Sequence, residues 1–564
     1  MLREEIKKAI LRAVKELKKQ EGFPARISYA KGVAGGENIS DKEIVVEHPN
    51  EKIRGDYSCS IAFAIAKEAG KNPFEVATLL KLEIEKQKNN FEKIEVINGF
   101  LNFFVSERYL QKQIGEILKQ KNKFASLKIG KNKKVNVEFI SANPTGPLTL
   151  GNGRGGFGGD VLSNVLKKAG YKVAKEYYIN DTGNQIKVLG HSVLGDAEAA
   201  YKGEYILQLR QKIKGKNPED IGEKAAREIL NKMIKPSVKK MGIKFDVWFS
   251  EKSLYKNKEV DRAIAQLKKK GFTYESEGAV WFKSKDLGDD KDRVLIRADG
   301  IRTYFASDIA YLKNKFQRKF ARLVFFVGAD HHGYVARLKA AAAAMGYDKD
   351  KIDMIVLQLV RLFENGQEVR MSKRAGTYVT IDELIDEVGA DVARFFFLMT
   401  GLNAHMNFNL NLAKEKSEKN PVFKVQYAYA RICSILKKAD KAKKQNADLS
   451  LLKEQDELSL MREFLKLAEA VEDCSKDCQL QRLPQYALSL ADSFHRFYEN
   501  CKVISVDQKL TASRLELVQS AKIVFKNTLD LIGVSAPEKM PARNASPARQ
   551  PDGSHGGGHR DAGV

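Results

Sequence analysis

Two loops in this 564-residue chain carry residue types suited to phosphate chemistry. The first, SANPTGPLTLGNGRGG (141–156), gathers Gly146, Pro147, Gly151, Gly153, Gly155 and Gly156 just ahead of an apolar run. Glycines let the backbone approach a flat or charged ligand closely. A helix N-terminus offers N–H groups and a dipole to phosphate, and Thr149 and Asn152 can donate hydrogen bonds at that point. Tight packing also uses glycine, so both readings stand for this loop alone. The second loop, EVRMSKRAGTYVT (368–380), sets Arg370, Lys373 and Arg374 around Met371 and Ser372. Cations so placed can stabilise charge that develops in an in-line transfer. An exposed basic turn is the plainer account.

These loops need a scaffold, and the flanking pattern supplies one. VNVEF (135–139) alternates like a strand, 149–170 can run as a helix ending at Gly170, and YKVAKEYYI (171–179) reads as another strand. Strand, glycine-containing turn, helix and strand form the βαβ unit of a parallel nucleotide-binding sheet. RLVFFVG (322–328), an Ala-rich helix at 335–345 and MIVLQLV (354–360) repeat it. The fold class is therefore multidomain α/β with a Rossmann-type parallel sheet over 135–409, and 190–290 is expected to be an insertion or connection. Glu138 ends one strand, Tyr304 and Asp308 lie four apart on one helical face, and Asp330, His331 and His332 follow another strand. A metal site is one reading of that last trio. A ligand pocket at the C-terminal end of the sheet is the favoured one.

The remaining segments differ in pattern. Residues 1–107 read as a small α/β domain, with helices at 2–20 and 59–69 and a strand at 98–106. The lysine-rich stretch that follows reads as a linker over 108–134, and 410–540 reads as a helical bundle. The last residues, 541–564, hold no Lys, Leu, Ile or Phe, and are expected to be disordered and extraneous.

A net charge of +25 favours a polyanionic partner, nucleic acid before membrane, although a solvated lysine-rich surface would give the same excess. Five scattered cysteines exclude a disulfide framework, and the Cys474/Cys478 pair lacks the second half of a zinc site. No apolar run reaches the ~20 residues that span a bilayer. The opening stripe Ile6, Ile10, Val14 and Leu17 is interleaved with Glu4, Glu5 and Glu16, which reads as the first helix of a cytoplasmic protein.

Taken together, the two loops resemble the HIGH-type and KMSKS-type signatures of class I aminoacyl-tRNA synthetases. EYYINDTGNQ (176–185), FDVWFSE (245–251), DDKDRVLIRADG (289–300), TYFASDIAYLKNKF (303–316), GADHHGY (328–334), NPVFKVQYAYARICSI (420–435), FHRFYENCKV (494–503) and LIGVSAPEKM (531–540) resemble the arginyl-tRNA synthetase family. GDYSCSIAFAIAKEAGKNP (55–73) is similar to that family's added tRNA-binding domain, and the likeness spans nearly all of 1–540. The chain departs from the family at Thr149 and Asn152, where histidines are usual, and at Arg370, where lysine is usual.

The resemblance implies an arginine–tRNA ligase that uses L-arginine, ATP with Mg²⁺ and tRNA(Arg). It implies no tightly bound cofactor, no resident metal and no membrane, and a monomer is expected. Thr149, Asn152 and Lys373 would be catalytic. Gly146, Pro147, Gly151, Gly153, His331, His332, Arg370, Met371 and Ser372 would hold ATP. Asp308 would grip the guanidinium, with Tyr304 on its face or edge. Glu138, Ser141, Asn143 and Asp330 would hold other parts of arginine, the α-amino group included. Tyr427, Tyr429 and Arg431 would contact the anticodon region, or else pack between helices. Three alternatives remain at this point: another class I synthetase, a tRNA-binding protein with a disabled site, and a general RNA-binding protein.

Overall fold

The computed structural model describes residues 1–19, 23, 44–49, 51–329, 332–369, 379–439 and 446–540. The expectation for 541–564 lies outside them.

Helix α1 (Leu2–Leu17) buries Ile6, Ile10, Val14 and Leu17, as their spacing predicts. Strands β1 (Val46–Glu47) and β2 (Tyr57–Cys59), helices α2 (Ile61–Ala69) and α3 (Pro73–Glu85), and strands β3 (Phe91–Ile97) and β4 (Phe100–Val105) complete the first unit. Its sheet has the order β1-β2-β4-β3. The strand expected at 98–106 is half of a hairpin. Asn98 and Gly99 form its turn at φ 52° and 83°, the left-handed pair that a two-residue hairpin loop requires.

The expected linker is largely helix. In α4 (Glu107–Gln120) Ser106 caps the N-terminus, and Leu110, Ile114 and Ile117 are buried. That four-and-three spacing of apolar residues among lysines and glutamines is enough to fix an amphipathic helix.

The central sheet is parallel, in the order β12-β11-β5-β6-β7. It begins with β5 (Lys134–Glu138), α5 (Leu150–Lys168) and β6 (Lys172–Ile179). Next come α6 (Asn184–Leu194), α7 (Glu204–Lys212), α8 (Pro218–Ile229), α9 (Lys235–Lys240) and β7 (Val247–Ser250). The 190–290 segment is thus not all insertion: β7 is the fifth strand of the main sheet, paired with β6. Only after α10 (Lys252–Lys256) and α11 (Glu259–Lys269) does the chain leave it. There it forms a separate three-stranded sheet of β8 (Thr273–Ser276), β9 (Ala279–Phe282) and β10 (Arg293–Ile296). Helix α12 (Tyr304–Gln317), β11 (Arg322–Gly328), α13 (His332–Met345) and β12 (Ile352–Leu357) return to the main sheet. Between β5 and β11 the strand order reverses direction, which opens a crevice at their C-terminal ends.

Strands β13 (Val360–Glu364) and β14 (Gln367–Glu368), helices α14 (Ile381–Val388) and α15 (Ala390–Met399), β15 (Met406–Asn409) and α16 (Leu410–Lys414) link the sheet to the bundle. The bundle comprises α17 (Pro421–Ala439), α18 (Gln455–Asp477), α19 (Arg482–Asn500) and α20 (Gln508–Ile532). Helix α18 meets the first unit through Glu469, which takes Arg3 at 2.9 Å and the Tyr57 hydroxyl at 2.8 Å. Helix α20 ties the bundle to the linker helix and to α5 by hydrogen bonds near its C-terminal half. Asn527 donates to the Lys121 carbonyl at 3.0 Å, and Asn164 of α5 donates to the Leu531 carbonyl at 3.3 Å. Among the described residues no helix is long and apolar enough to cross a membrane.

Candidate active site

The crevice begins with a sharp change of direction after β5. Ile140 and Ser141 have φ of 66° and 39°, a region that a β-branched residue enters only under constraint. The constraint is visible downstream. The Tyr177 hydroxyl donates to the Ala142 carbonyl at 2.8 Å, and the Tyr205 hydroxyl donates to the Thr145 carbonyl at 2.9 Å. Strain at this turn aims the loop into the crevice, where Glu138, Ser141 and Asn143 line a cavity of about 320 Å³ with Asp308, Tyr311 and Tyr334.

One wall of the cavity is densely paired. The Glu138 carboxylate accepts the Tyr311 hydroxyl at 2.9 Å and lies 2.9 Å from the Lys315 ammonium. Glu176 faces the same Lys315 at 3.0 Å and takes both guanidinium nitrogens of Arg318, at 2.5 and 2.9 Å. Burial alone would raise the Glu176 carboxyl, but Lys315 and Arg318 bring it down to about 2.

Asp308 also lines the cavity, and the buried Glu251 lies near it outside the lining. Burial pushes Asp308 up to about 7, and the neighbouring carboxylates Glu251 and Glu138 add to the rise. The Tyr334 hydroxyl and the charge of Arg337 oppose it. Glu251 is 2% exposed, and burial lifts it to about 7 as well. No described cation forms an ion pair with either carboxylate. Asp308 therefore favours a cationic guest, and the two oxygens of its carboxylate suit the paired donors of a guanidinium.

The nucleotide-type loop is built differently. Thr149 caps α5 in a capping box: its hydroxyl donates to Asn152 Oδ1 at 3.0 Å and accepts from the Asn152 N–H at 3.4 Å. The one proton of the Thr149 hydroxyl is therefore engaged within the cap in this structure, and one acceptor lone pair is left over. The Asn152 amide nitrogen makes no hydrogen bond among the described residues. The glycines mostly provide room for packing. A Cβ at Gly153 would meet Ile381 at 2.5 Å, one at Gly155 Leu357 at 2.7 Å, and one at Gly146 the Tyr205 hydroxyl at 3.2 Å. Gly151 alone of these faces open space, with Thr149 at 3.7 Å as its only neighbour. Gly151 thus leaves the backbone open, whereas Gly146 and Gly153 are crowded by Tyr205 and Ile381.

The two loops of the sequence analysis meet through this helix. Thr149 pairs with Thr380 as an isolated bridge, and Ile381 N–H donates to the Leu148 carbonyl at 3.0 Å. Arg154, with no exposed surface, donates to the carbonyls of Gln358 at 2.9 Å and Gly401 at 2.7 Å. Burial without a carboxylate partner lowers its guanidinium to about 10.

Tyr304 is not part of the cavity wall. It stands 44% exposed at the first turn of α12, near Gly183 at the rim. Asp330, His331, Arg370, Met371, Ser372 and Lys373 lie outside the described residues, and of His332 only the backbone is described. Tyr311, Lys315, Glu176, Glu251 and Tyr334 were missed from sequence. Asp308, Tyr311 and Lys315 fall three and then four apart, so a polar stripe on one helix face was there to be read.

Family comparisons agree with this architecture. The model for the arginyl tRNA synthetase N-terminal domain matches residues 2–105. That for the class I (R) catalytic domain matches 113–208 and 196–396, and the DALR anticodon-binding domain matches 425–540. The arginine–tRNA ligase of Carboxydothermus hydrogenoformans is 43% identical over 523 residues, 88% of this chain and 94% of that protein. The chain belongs to the arginyl-tRNA synthetase family. The arginine–tRNA ligase of Acetivibrio thermocellus is 41% identical over 93% of the chain and 99% of its own length. The solved Thermus thermophilus arginyl-tRNA synthetase shares the fold, with a TM-score of 0.76 at 23% identity over 96% of this chain and 100% of that one.

In this arginyl-tRNA synthetase family member the bundle residues separate. Arg431 lies 5.3 Å from the Tyr427 ring and 5.1 Å from the Tyr498 ring, and its guanidinium bonds both hydroxyls. Phe423 stacks on Tyr427 at 6.1 Å, which extends the half-exposed aromatic face. Tyr429 does not join it. It is 4% exposed, because two residues along a helix turn a side chain to the other face, so it packs in the core and cannot stack on a base.

Proposed function

We propose that the protein is an ATP-dependent arginine–tRNA ligase, and that the observation carrying the choice of amino acid is the Asp308 carboxylate, which lines the cavity with no ion-pair partner among the described residues. The arginine carboxylate attacks the α-phosphate of ATP in line, giving arginyl-adenylate and diphosphate. The terminal ribose hydroxyl of tRNA(Arg) then takes the arginyl group and AMP leaves. Asp308 holds the guanidinium. Glu138, Ser141 and Asn143 orient the amino-acid end, which sets the attacking oxygen toward the nucleotide. The N-terminus of α5, the Gly151 backbone and the Asn152 amide lie on the ATP side and meet charge that develops on phosphate. Mg²⁺ enters with ATP through phosphate oxygens.

The proposed division of labour gives 1–107 to tRNA binding, 108–134 to connection, 135–409 to catalysis and 410–540 to the anticodon region. In the last of these, Tyr427 and Arg431 offer stacking surfaces. The enzyme acts as a cytoplasmic monomer.

The test is ATP–diphosphate exchange with each of the twenty amino acids, with and without tRNA. Exchange with arginine alone, and only with tRNA present, is the expected result. Exchange with another amino acid overturns the cavity assignment. No exchange from folded protein that still binds tRNA favours a disabled site.

A further inference from the structure

The loop that follows β5 has two working ends. Ser141 and Asn143 line the cavity at one end, and Thr149 and Asn152 open α5 at the other. Each end is fastened to the sheet domain. At the start, the Tyr177 hydroxyl donates to the Ala142 carbonyl at 2.8 Å, and the Tyr178 N–H donates to Ser141 Oγ at 3.1 Å. At the finish, the Ile381 N–H donates to the Leu148 carbonyl at 3.0 Å. Between them, among the described residues, one hydrogen bond reaches 144–147 from outside the loop. It runs from the Tyr205 hydroxyl to the Thr145 carbonyl, at 2.9 Å.

Tyr205 belongs to neither end. It stands on α7, which is fastened to the end of α6 by Arg210, whose guanidinium donates to the carbonyls of Val193 at 2.8 Å and Ser192 at 3.2 Å. Burial pushes the Tyr205 phenol up to about 12, so it keeps its proton and remains a donor. Gly146 fits the same arrangement. A Cβ there would meet the Tyr205 hydroxyl oxygen at 3.2 Å, but the nearest ring carbons only at 3.5 and 3.9 Å, which is ordinary van der Waals contact. The missing side chain makes room for the hydroxyl, not for the ring.

We infer that Tyr205 is a positioning residue that sets the two ends of this loop relative to one another, and with them arginine relative to ATP. The inference rests on the proposed function. Tyr205 does not line the cavity, so it acts through the loop and not on the amino acid. Each substrate has its own contacts at one end, and binding of either one survives a slack middle. In-line attack needs both substrates at once, at a fixed distance and angle. A misplacement of about 1 Å costs on the order of 100-fold in rate. Loss of the tether therefore falls on kcat and on neither KM.

The test is ATP–diphosphate exchange at saturating tRNA(Arg) in Tyr205→Phe, which removes the hydroxyl and keeps the ring. The variant is expected to lower kcat about 30-fold, with the arginine KM and the ATP KM within about threefold. Gly146→Ala crowds the same hydroxyl from the other side. It should lower kcat about fivefold in the otherwise native chain and less than about twofold in Tyr205→Phe, where the crowded atom is gone. An unchanged kcat in Tyr205→Phe overturns the inference. So does a rise of both KM values in parallel with the loss of kcat, which marks a merely structural tyrosine, and so do losses from the two substitutions that add in full. If Tyr205→Phe does not fold, Gly146→Ala alone reads the same split of kcat from KM. Wild-type protein that exchanges with no amino acid defeats the functional reading itself, and this inference with it.

Discussion

Two acidic pairs each place one member on the cavity and one behind it, Glu138 with Glu176 and Asp308 with Glu251, and they differ in one respect. Glu138 and Glu176 have Lys315 and Arg318 between and behind them. Asp308 and Glu251 have no ion-pair partner among the described residues, and burial leaves both at about 7. The first pair gains its electrostatic energy when the chain folds. The second has no such ion pair in the fold and, in the proposed function, gains its energy when arginine arrives. Breaking a buried pair leaves a charge stranded, so the saturated wall resists change. The unsaturated wall is poorly solvated until it is filled, which is how a binding site differs from a structural one with the same residue types.

The strongest challenge to that contrast is Asp308→Asn. It should lower arginine affinity about 1,000-fold and leave ATP binding within about threefold. A loss below tenfold would mean that the unpaired wall is not where the guanidinium sits. Asn152→Ala tests the nucleotide side. It should reduce the activation rate about 100-fold with arginine binding unchanged if, as proposed, its amide donates to phosphate and not to the amino acid.

Proton linkage sharpens the contrast further. Arginine binds the ionised form of Asp308, whose carboxyl stands at about 7 in the empty protein. As pH falls below that value a proton must leave for binding to occur, so affinity should drop about tenfold per pH unit, with proton release seen by calorimetry in two buffers. Asp308→Asn should flatten that slope. Stability runs the opposite way. The ordinary carboxyl value is 3.8, so the folded empty protein holds a proton that the unfolded chain has lost in the interval up to about 7. The urea midpoint should therefore fall as pH rises through that interval, and saturating arginine should offset the fall. The smallest expected effect is that of Glu251→Gln, which removes one of the crowded charges. It should raise stability at pH 8 by about 1 kcal/mol, read from the same urea curves.

Much of this was legible beforehand, for identifiable reasons. The alternation in 135–139 and 171–179 and the apolar stripe of 2–17 impose their elements locally, and β5, β6 and α1 form there. The residues of β7 at 247–250 gave no such signal, because an edge strand of four residues is too short to show a period. The glycine-rich helix was visible, but the meaning of each glycine depended on Ile381, Leu357 and Tyr205, residues distant in sequence. The same holds for Lys315. Its ion pairs depend on two strands meeting in register, and a single stretch of chain does not reveal that.

Helix α20 remains. Its 25 residues make a rod about 37 Å long. Near its C-terminal end Ile532 accepts from Arg394 at 3.3 Å, and the same guanidinium bonds Asp160 of α5 at 2.6 Å. A rod pivoting at that end sweeps its far end through about 0.6 Å for each degree of tilt. Read in reverse, the geometry is that of a reduction gear: a displacement of several ångströms at the far end would reach α5 as a rotation of only a few degrees.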